Sequence, residues 1–359
     1  MTRLTTPSNP TPPVSTTLVA EDTLMFREAG SAADIVAAQL AANADLIKDL
    51  AARLRAMAPK AVVTCARGSS DHAASFGKYL IETRLGLVTS SAGMSVASVY
   101  GVAPRMDGML FLAISQSGKS PDLVASADAA RKAGAHVVAF VNVVDSPLAD
   151  VAHDVVPLGA GPELSVAATK SYIASLSALL HLVSLWAEDD VMHEALLGSP
   201  ALLKTAFEAD WSPAVARLKD TRNMFVLGRG LGFGIALEAA LKFKETCGLH
   251  AEAFSAAEVK HGPMALVEAG FPILAFVQND ATHEGTDAIV AEMIRRGADV
   301  LLAGSTLPEA TVLPGPVAHP AIAPMISIQS FYRMAATLSV ARGYHPDQPP
   351  HLAKVTETR

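Results

Sequence analysis

The sequence predicts an α/β protein built from two tandem, doubly wound parallel-sheet units, and three observations carry that prediction. Half of the 359 residues are hydrophobic but only 5% are aromatic, which suits aliphatic strands buried on both faces by helices. Aliphatic runs alternate with helix-length segments, the order that generates a parallel sheet. Finally, two local patterns repeat at one spacing. Arg67-Gly68 and Arg229-Gly230 lie 162 residues apart, as do Gln116 and Gln278, and each follows an apolar run. Two matches in one register point to an internal duplication.

The elements follow in order. Residues 32–57 place Ile35, Leu40, Leu46, Leu50 and Leu54 at near-helical spacing, and Pro59 stops the helix. A strand over 61–65 ends in Arg67-Gly68-Ser69-Ser70-Asp71, and a helix runs on to about Leu85, closed by Gly86. A second strand over 108–114 ends in Ser115-Gln116-Ser117-Gly118-Lys119-Ser120. A helix over 122–133, strands over 136–141 and 154–158, and a long helix over 166–186 complete the first unit. The pattern restarts with a strand at 223–228 and another at 271–278, so the boundary falls within 191–213. This divides the chain into a flexible arm (1–21), a first unit (22–200), a second unit (201–342) and a C-terminal tail (343–359).

Composition excludes several classes. With 28 basic and 35 acidic residues the formal charge is −7, and no basic cluster stands out, which argues against a nucleic-acid partner. No uncharged apolar stretch reaches the roughly 18–20 residues of a membrane span. The Thr-, Ser- and Pro-rich start lacks the charged and apolar regions of a signal peptide. Cys65 and Cys247 sit in apolar segments without ligand spacing, as reduced buried thiols do. The expected location is cytoplasmic.

Three regions could carry chemistry. The loop from Ser115 to Ser120 ends a strand and opens a helix, where backbone N–H groups, the helix dipole and serine hydroxyls favour a phosphate. Ser69 and Ser70 occupy the same place after the preceding strand, and ligands of open α/β sheets bind at this edge. Serines there also serve as plain helix caps, so residue types leave both readings open. The corresponding loop of the second unit reads Gln278-Asn279-Asp280-Ala281, whose carboxylate should repel an anion. The second region, 236–266, includes Lys242, Lys244 and Glu245 on a helix, then His261 displayed before Gly262-Pro263. A Lys/Glu-rich helix usually presents a solvated face, and a lone histidine is more often structural. The third is the tail, where three prolines stiffen an extended segment carrying Leu352, Lys354 and Val355. Its plainer reading is a surface strap.

Taken together these residues resemble the sugar isomerase (SIS) family. Within it they are most similar to the isomerase half of glucosamine-6-phosphate synthase and to stand-alone glucosamine-6-phosphate deaminases of that fold. The matching pieces are collinear from about Asp22 to the C-terminus: Ala66 to His72, Ser115 to Ser120, Glu163 to Lys170, Ala236 to Glu245, His250 to Phe254, Lys260 to Pro263 and Leu352 to Thr356. The resemblance implies a flavodoxin-like fold for each unit and assigns roles by position. Ser69, Ser70, Ser115, Gln116, Ser117 and Ser120 would hold a sugar 6-phosphate, and Val166 and Ala168 would line the sugar site. Glu245 would move a proton between C1 and C2, supported by Lys242. His261 would open the sugar ring, reaching in from the partner of a homodimer. Lys354 would sit beside the substrate carbonyl, where an imine forms or is stabilised. Neither a metal nor an organic cofactor is required. Three departures stand out: Lys119 and Ser120 replace an acidic residue and a threonine, Ala168 replaces a hydroxyl residue, and Pro350-His351 replaces an Arg-Asn-like pair.

These residue types suit the implied chemistry. A shared carboxylate can act as general base at both carbons, a histidine titrates near neutral pH, and a desolvated lysine can form an imine. Met1 is followed by Thr2-Arg3 rather than a cysteine, and about 60 residues precede the first strand. The expectation is therefore an enzyme without a glutaminase domain, converting glucosamine 6-phosphate and water to fructose 6-phosphate and ammonia. Rival readings are a deaminase or deglycase for galactosamine 6-phosphate or a fructose-amine phosphate, a glutamine-independent synthase-like isomerase, and a sugar-phosphate-sensing regulator.

Overall fold

The computed structural model describes residues 18–352 and Lys354; of the tail motif, Ala353, Val355 and Thr356 lie outside the described residues, as does the arm up to residue 17. The end of the expected arm forms a short 3-10 turn, Ala20–Asp22. Helices α1 (Leu24–Gly30), α2 (Ala32–Ala42) and α3 (Ala44–Met57) lead into β1 (Val62–Cys65), α4 (Ser69–Leu85) and β2 (Thr89–Ser91). Then come α5 (Met94–Ser98), β3 (Leu110–Ser115), α6 (Pro121–Lys132), β4 (His136–Val141), α7 (Pro147–Val151), β5 (Asp154–Pro157) and α8 (Lys170–Trp186). Helices α9 (Asp190–Leu197), α10 (Ser199–Glu208) and α11 (Ser212–Leu218) bridge to β6 (Asn223–Gly228), α12 (Leu231–Cys247) and β7 (His250–Ser255). The chain closes with β8 (Pro272–Phe276), α13 (His283–Arg295), β9 (Asp299–Ala303), β10 (Thr311–Leu313) and α14 (Ala323–Ala341).

Two five-stranded parallel sheets result, ordered β2-β1-β3-β4-β5 and β10-β9-β8-β6-β7. Matched strand for strand, the orders are the same, as duplication requires. β3 is buried along its whole length, the pattern of a strand covered on both faces. One core joins the inner faces of both sheets through α4, α8, α12 and α14. Smaller clusters fill the outer face of each sheet.

Three expected boundaries shift, each for a physical reason. The helix over 32–57 is two helices, because Asn43 leaves the helical ladder (φ −97°, ψ 1°) and its amide donates to the Pro157 carbonyl at 2.8 Å. The long helix starts at Lys170 rather than 166, because the backbone N–H groups of Thr169 and Ser171 both donate to the Glu163 carboxylate. The region 191–213, where the sequence places the boundary between the units, is itself largely helical, since α9 and α10 bury Met192, Leu196, Leu203 and Ala206.

The contact that positions the site is α4 against α12. A Cβ on Gly234 would lie 2.9 Å from the His72 carbonyl oxygen, so only glycine permits this approach. The Tyr172 hydroxyl donates to the Gly234 carbonyl at 3.1 Å, tying α8 to the same crossing.

Candidate functional site

At the carboxyl ends of β1 and β3, where the strand order reverses, a cavity of about 390 Å³ opens. Loops after both strands line it with Ser69, Ser70, Ser115, Gln116, Ser117 and Ser120; Val166 and Ala168 line it before α8. Lys242 and Glu245 reach it from α12 of the second unit, and Lys354 from the tail. Thus eleven residues singled out in the sequence share one cavity. Arg67, Lys119, Lys242 and Lys354 against Glu163 and Glu245 leave its lining with an excess of positive charge.

The serine loops are internally braced. Ser115 Oγ accepts the Gly118 N–H at 3.0 Å, and Ser117 Oγ accepts the Lys119 N–H at 3.3 Å. Gly118 itself is left-handed, with φ 65°. Ser120 Oγ donates to Asp122 at 3.0 Å, while Arg67 pairs with the same buried carboxylate. Burial works to raise the Asp122 pKa, but the bonds from Arg67, its own backbone N–H and Ser120 hold it below the usual carboxylate range. Asp122, unnoticed in the sequence, therefore links the two loops.

A Lys/Glu-rich helix usually presents a solvated face, but Lys242 is 1% exposed. It pairs with Glu245 and lies 3.5 Å from Glu238, whose side chain is fully buried. Glu238 also accepts from Ser69 Oγ at 3.1 Å and the Tyr332 hydroxyl at 3.0 Å, and lies 2.9 Å from His72 Nδ1. Burial opposes both charges. Lys242, His72 and Tyr332 nevertheless keep Glu238 below the ordinary carboxyl range, and Glu238 and Glu245 raise Lys242 above the ordinary lysine range. Glu245, with its side chain 22% exposed, is the carboxylate of this network that faces the cavity. Ser69 thus bonds to the network and lines the cavity together with the 115–120 loop.

Lys354 Nζ donates to the Ser165 carbonyl at 2.6 Å and to Glu163 Oε2 at 3.4 Å. Glu163 also accepts from Ser171 Oγ at 2.6 Å, so one carboxylate caps α8 and holds the tail lysine. Leu352 closes the cavity beside it.

His261 is not among the cavity-lining residues of its own chain. It is exposed, at the end of the 3-10 turn Glu258–His261, ahead of Gly262 with φ 139°. In the second unit, Asp280 Oδ1 accepts from the Thr282 N–H at 2.8 Å and from its Oγ1 at 2.6 Å. That carboxylate occupies the start of α13, where the first unit presents serines.

The SIS domain family matches residues 58–185 and 217–306. Glutamine–fructose-6-phosphate aminotransferase (isomerizing) of Thermotoga maritima is 35% identical over 314 residues, 82% of this chain and 50% of that protein. The chain thus spans about half the length of the curated relatives it matches. A protein of Silicibacter pomeroyi DSS-3, described as a candidate phosphosugar isomerase, superposes with TM-score 0.87 at 43% identity, covering 90% of this chain and 100% of that one. The C-terminal domain of glucosamine-fructose-6-phosphate aminotransferase from Francisella tularensis gives TM-score 0.83 at 28% identity, covering 91% and 98%.

Proposed function

The chain belongs to the SIS domain family, and from that premise we propose that it is a phosphosugar-isomerising enzyme that converts glucosamine 6-phosphate and water to fructose 6-phosphate and ammonia. The observation that carries this reading is the meeting of Glu245, Lys242 and Lys354 with both serine loops in one cavity. The phosphate dianion docks on Ser69, Ser70, Ser115, Gln116, Ser117 and Ser120, each charge-assisted hydrogen bond contributing about 1.5–3 kcal/mol. Glu245 takes the proton from C2 of the opened aldose and returns it at C1, with Lys242 fixing its carboxylate. Lys354, as the free amine, adds to C2 of the resulting imine and expels ammonia. Water then hydrolyses the lysine imine, releasing the ketose and restoring the amine. His261 opens the ring from the partner of a homodimer, in keeping with its exposure outside its own chain's cavity.

Glutamine is not the nitrogen source on this reading. The two cysteines are buried, and burial pushes both thiols up to about 12, the opposite of an activated nucleophile. Because the relatives are aminotransferases, the decisive experiment runs both ways. Ammonia release is measured over a panel of hexosamine 6-phosphates, and amino sugar is measured from fructose 6-phosphate with glutamine or with ammonium chloride. The expected result is ammonia from glucosamine 6-phosphate and slow reversal by ammonium only. Glutamate formed together with glucosamine 6-phosphate overturns the deaminase reading in favour of the aminotransferase one.

A further inference from the structure

Helix α1 touches both the tail and the loop that holds the tail lysine. Its first two backbone N–H groups, Leu24 and Met25, donate to the two oxygens of Asp347, each at 2.7 Å. One turn later Glu28, 8% exposed, accepts the backbone N–H groups of Leu164 at 2.5 Å and Ser165 at 3.1 Å. Ser165 is the residue whose carbonyl receives Lys354 Nζ at 2.6 Å. One residue therefore has its N–H fixed by α1 and its C=O fixed to the lysine. Each of these adjacent N–H donors has a carboxylate oxygen of its own, whereas an amide would offer one oxygen and turn its NH2 toward the other donor.

We infer that Glu28 is a positioning residue for Lys354, acting through the backbone of Leu164 and Ser165, with Asp347 locking the same helix to the tail. Sequence separation hides the device, since Glu28 and Lys354 stand near opposite ends of the chain. The Glu28 carboxylate accepts from Leu164 and Ser165, neither of them assigned to the substrate; its work is to hold the 163–165 segment at the height where the ammonium, once neutral, faces the sugar. A displacement of about 1 Å in such a group can cost about 100-fold in rate. The inference deepens the imine reading proposed above and rests on it for its catalytic consequence.

The test compares wild type with Glu28→Gln and Asp347→Asn. Limited trypsin cleavage after Lys354, which releases residues 355–359, is followed by intact mass and normalised to cleavage after Arg342. Arg342 is anchored separately, on Leu218, Lys219, Thr221 and Cys247. General destabilisation accelerates both sites. Positioning predicts cleavage at Lys354 alone about tenfold faster, the change expected for losing one charge-assisted hydrogen bond. Turnover should fall about tenfold with KM within about twofold, and trapping of fructose 6-phosphate on Lys354 by cyanoborohydride should slow in parallel. Wild-type cleavage at Lys354 in both variants, or equal acceleration at both sites, overturns the inference. If wild type itself gives no trapped adduct, the imine reading fails, while the cleavage ratio still decides whether Glu28 positions Lys354.

Discussion

Gly118 lies so close to Ser146 that a Cβ on the glycine would sit 2.2 Å from the serine hydroxyl oxygen and 2.7 Å from its Cβ. The loop after β4 therefore supports the 115–120 serine loop, and the Leu148 N–H adds a bond to the Gly118 carbonyl at 3.1 Å. Gly118→Ala meets two penalties: a left-handed φ of 65° and an overpacked contact. Together they should cost roughly 2–4 kcal/mol. The expected outcome is a lower Tm and a KM for the sugar phosphate raised about tenfold or more. Adding Ser146→Gly should recover the packing part and leave the backbone part. Calorimetry and substrate titration on the single and double variants check this. A single variant with wild-type Tm and KM would show that the loop is not held by this contact.

His181 gives a pH signature independent of the site. It is 3% exposed on α8, and burial, with His193 stacked against it at 5.4 Å, pushes it down to about 4. The unfolded chain binds this proton near pH 6.5, whereas the folded chain refuses it until about pH 4. Stability from the neutral ring is therefore complete above pH 6.5 and drains away as pH falls toward 4. His181→Gln should remove that slope, about 2 kcal/mol between pH 7 and pH 5. Urea unfolding at the two pH values measures it. Parallel losses in wild type and variant would sink the assignment.

The 162-residue offset was legible because glycine-requiring turns recur in it: Gly68 (φ 55°, ψ −133°) and Gly230 (φ 56°, ψ −126°) adopt one conformation at matching strand ends. The serine loops were legible because position at a strand's carboxyl end implies convergence on the neighbouring loop. Glu238 and Lys242 were not legible as buried. Their helix reads as a Lys/Glu-rich surface helix, and periodicity cannot reveal that α4, α14 and the sheet enclose it on several sides. Nor could the Asn43 break be foreseen, because its cause is a carbonyl 114 residues away. The tie between α1 and Asp347 has no local signal at all.

His261 ends a short exposed turn and is not among the residues lining its own cavity, so on the proposed function a second copy supplies it to the site. Glu245→Gln preserves shape but removes the base, and kcat should fall by about 10² to 10⁴. His261→Ala should also be nearly inactive on the natural ring form. Mixing the two chains creates hybrid dimers in which one site pairs an intact Glu245 with the partner's intact histidine, while the other site has neither. Random exchange makes about half the dimers hybrids, so recovery should approach about a quarter of wild-type specific activity. Differently tagged chains and native mass spectrometry would verify the exchange. Recovery no greater than the sum of the two parents, with hybrids present, would mean that His261 serves its own chain or none.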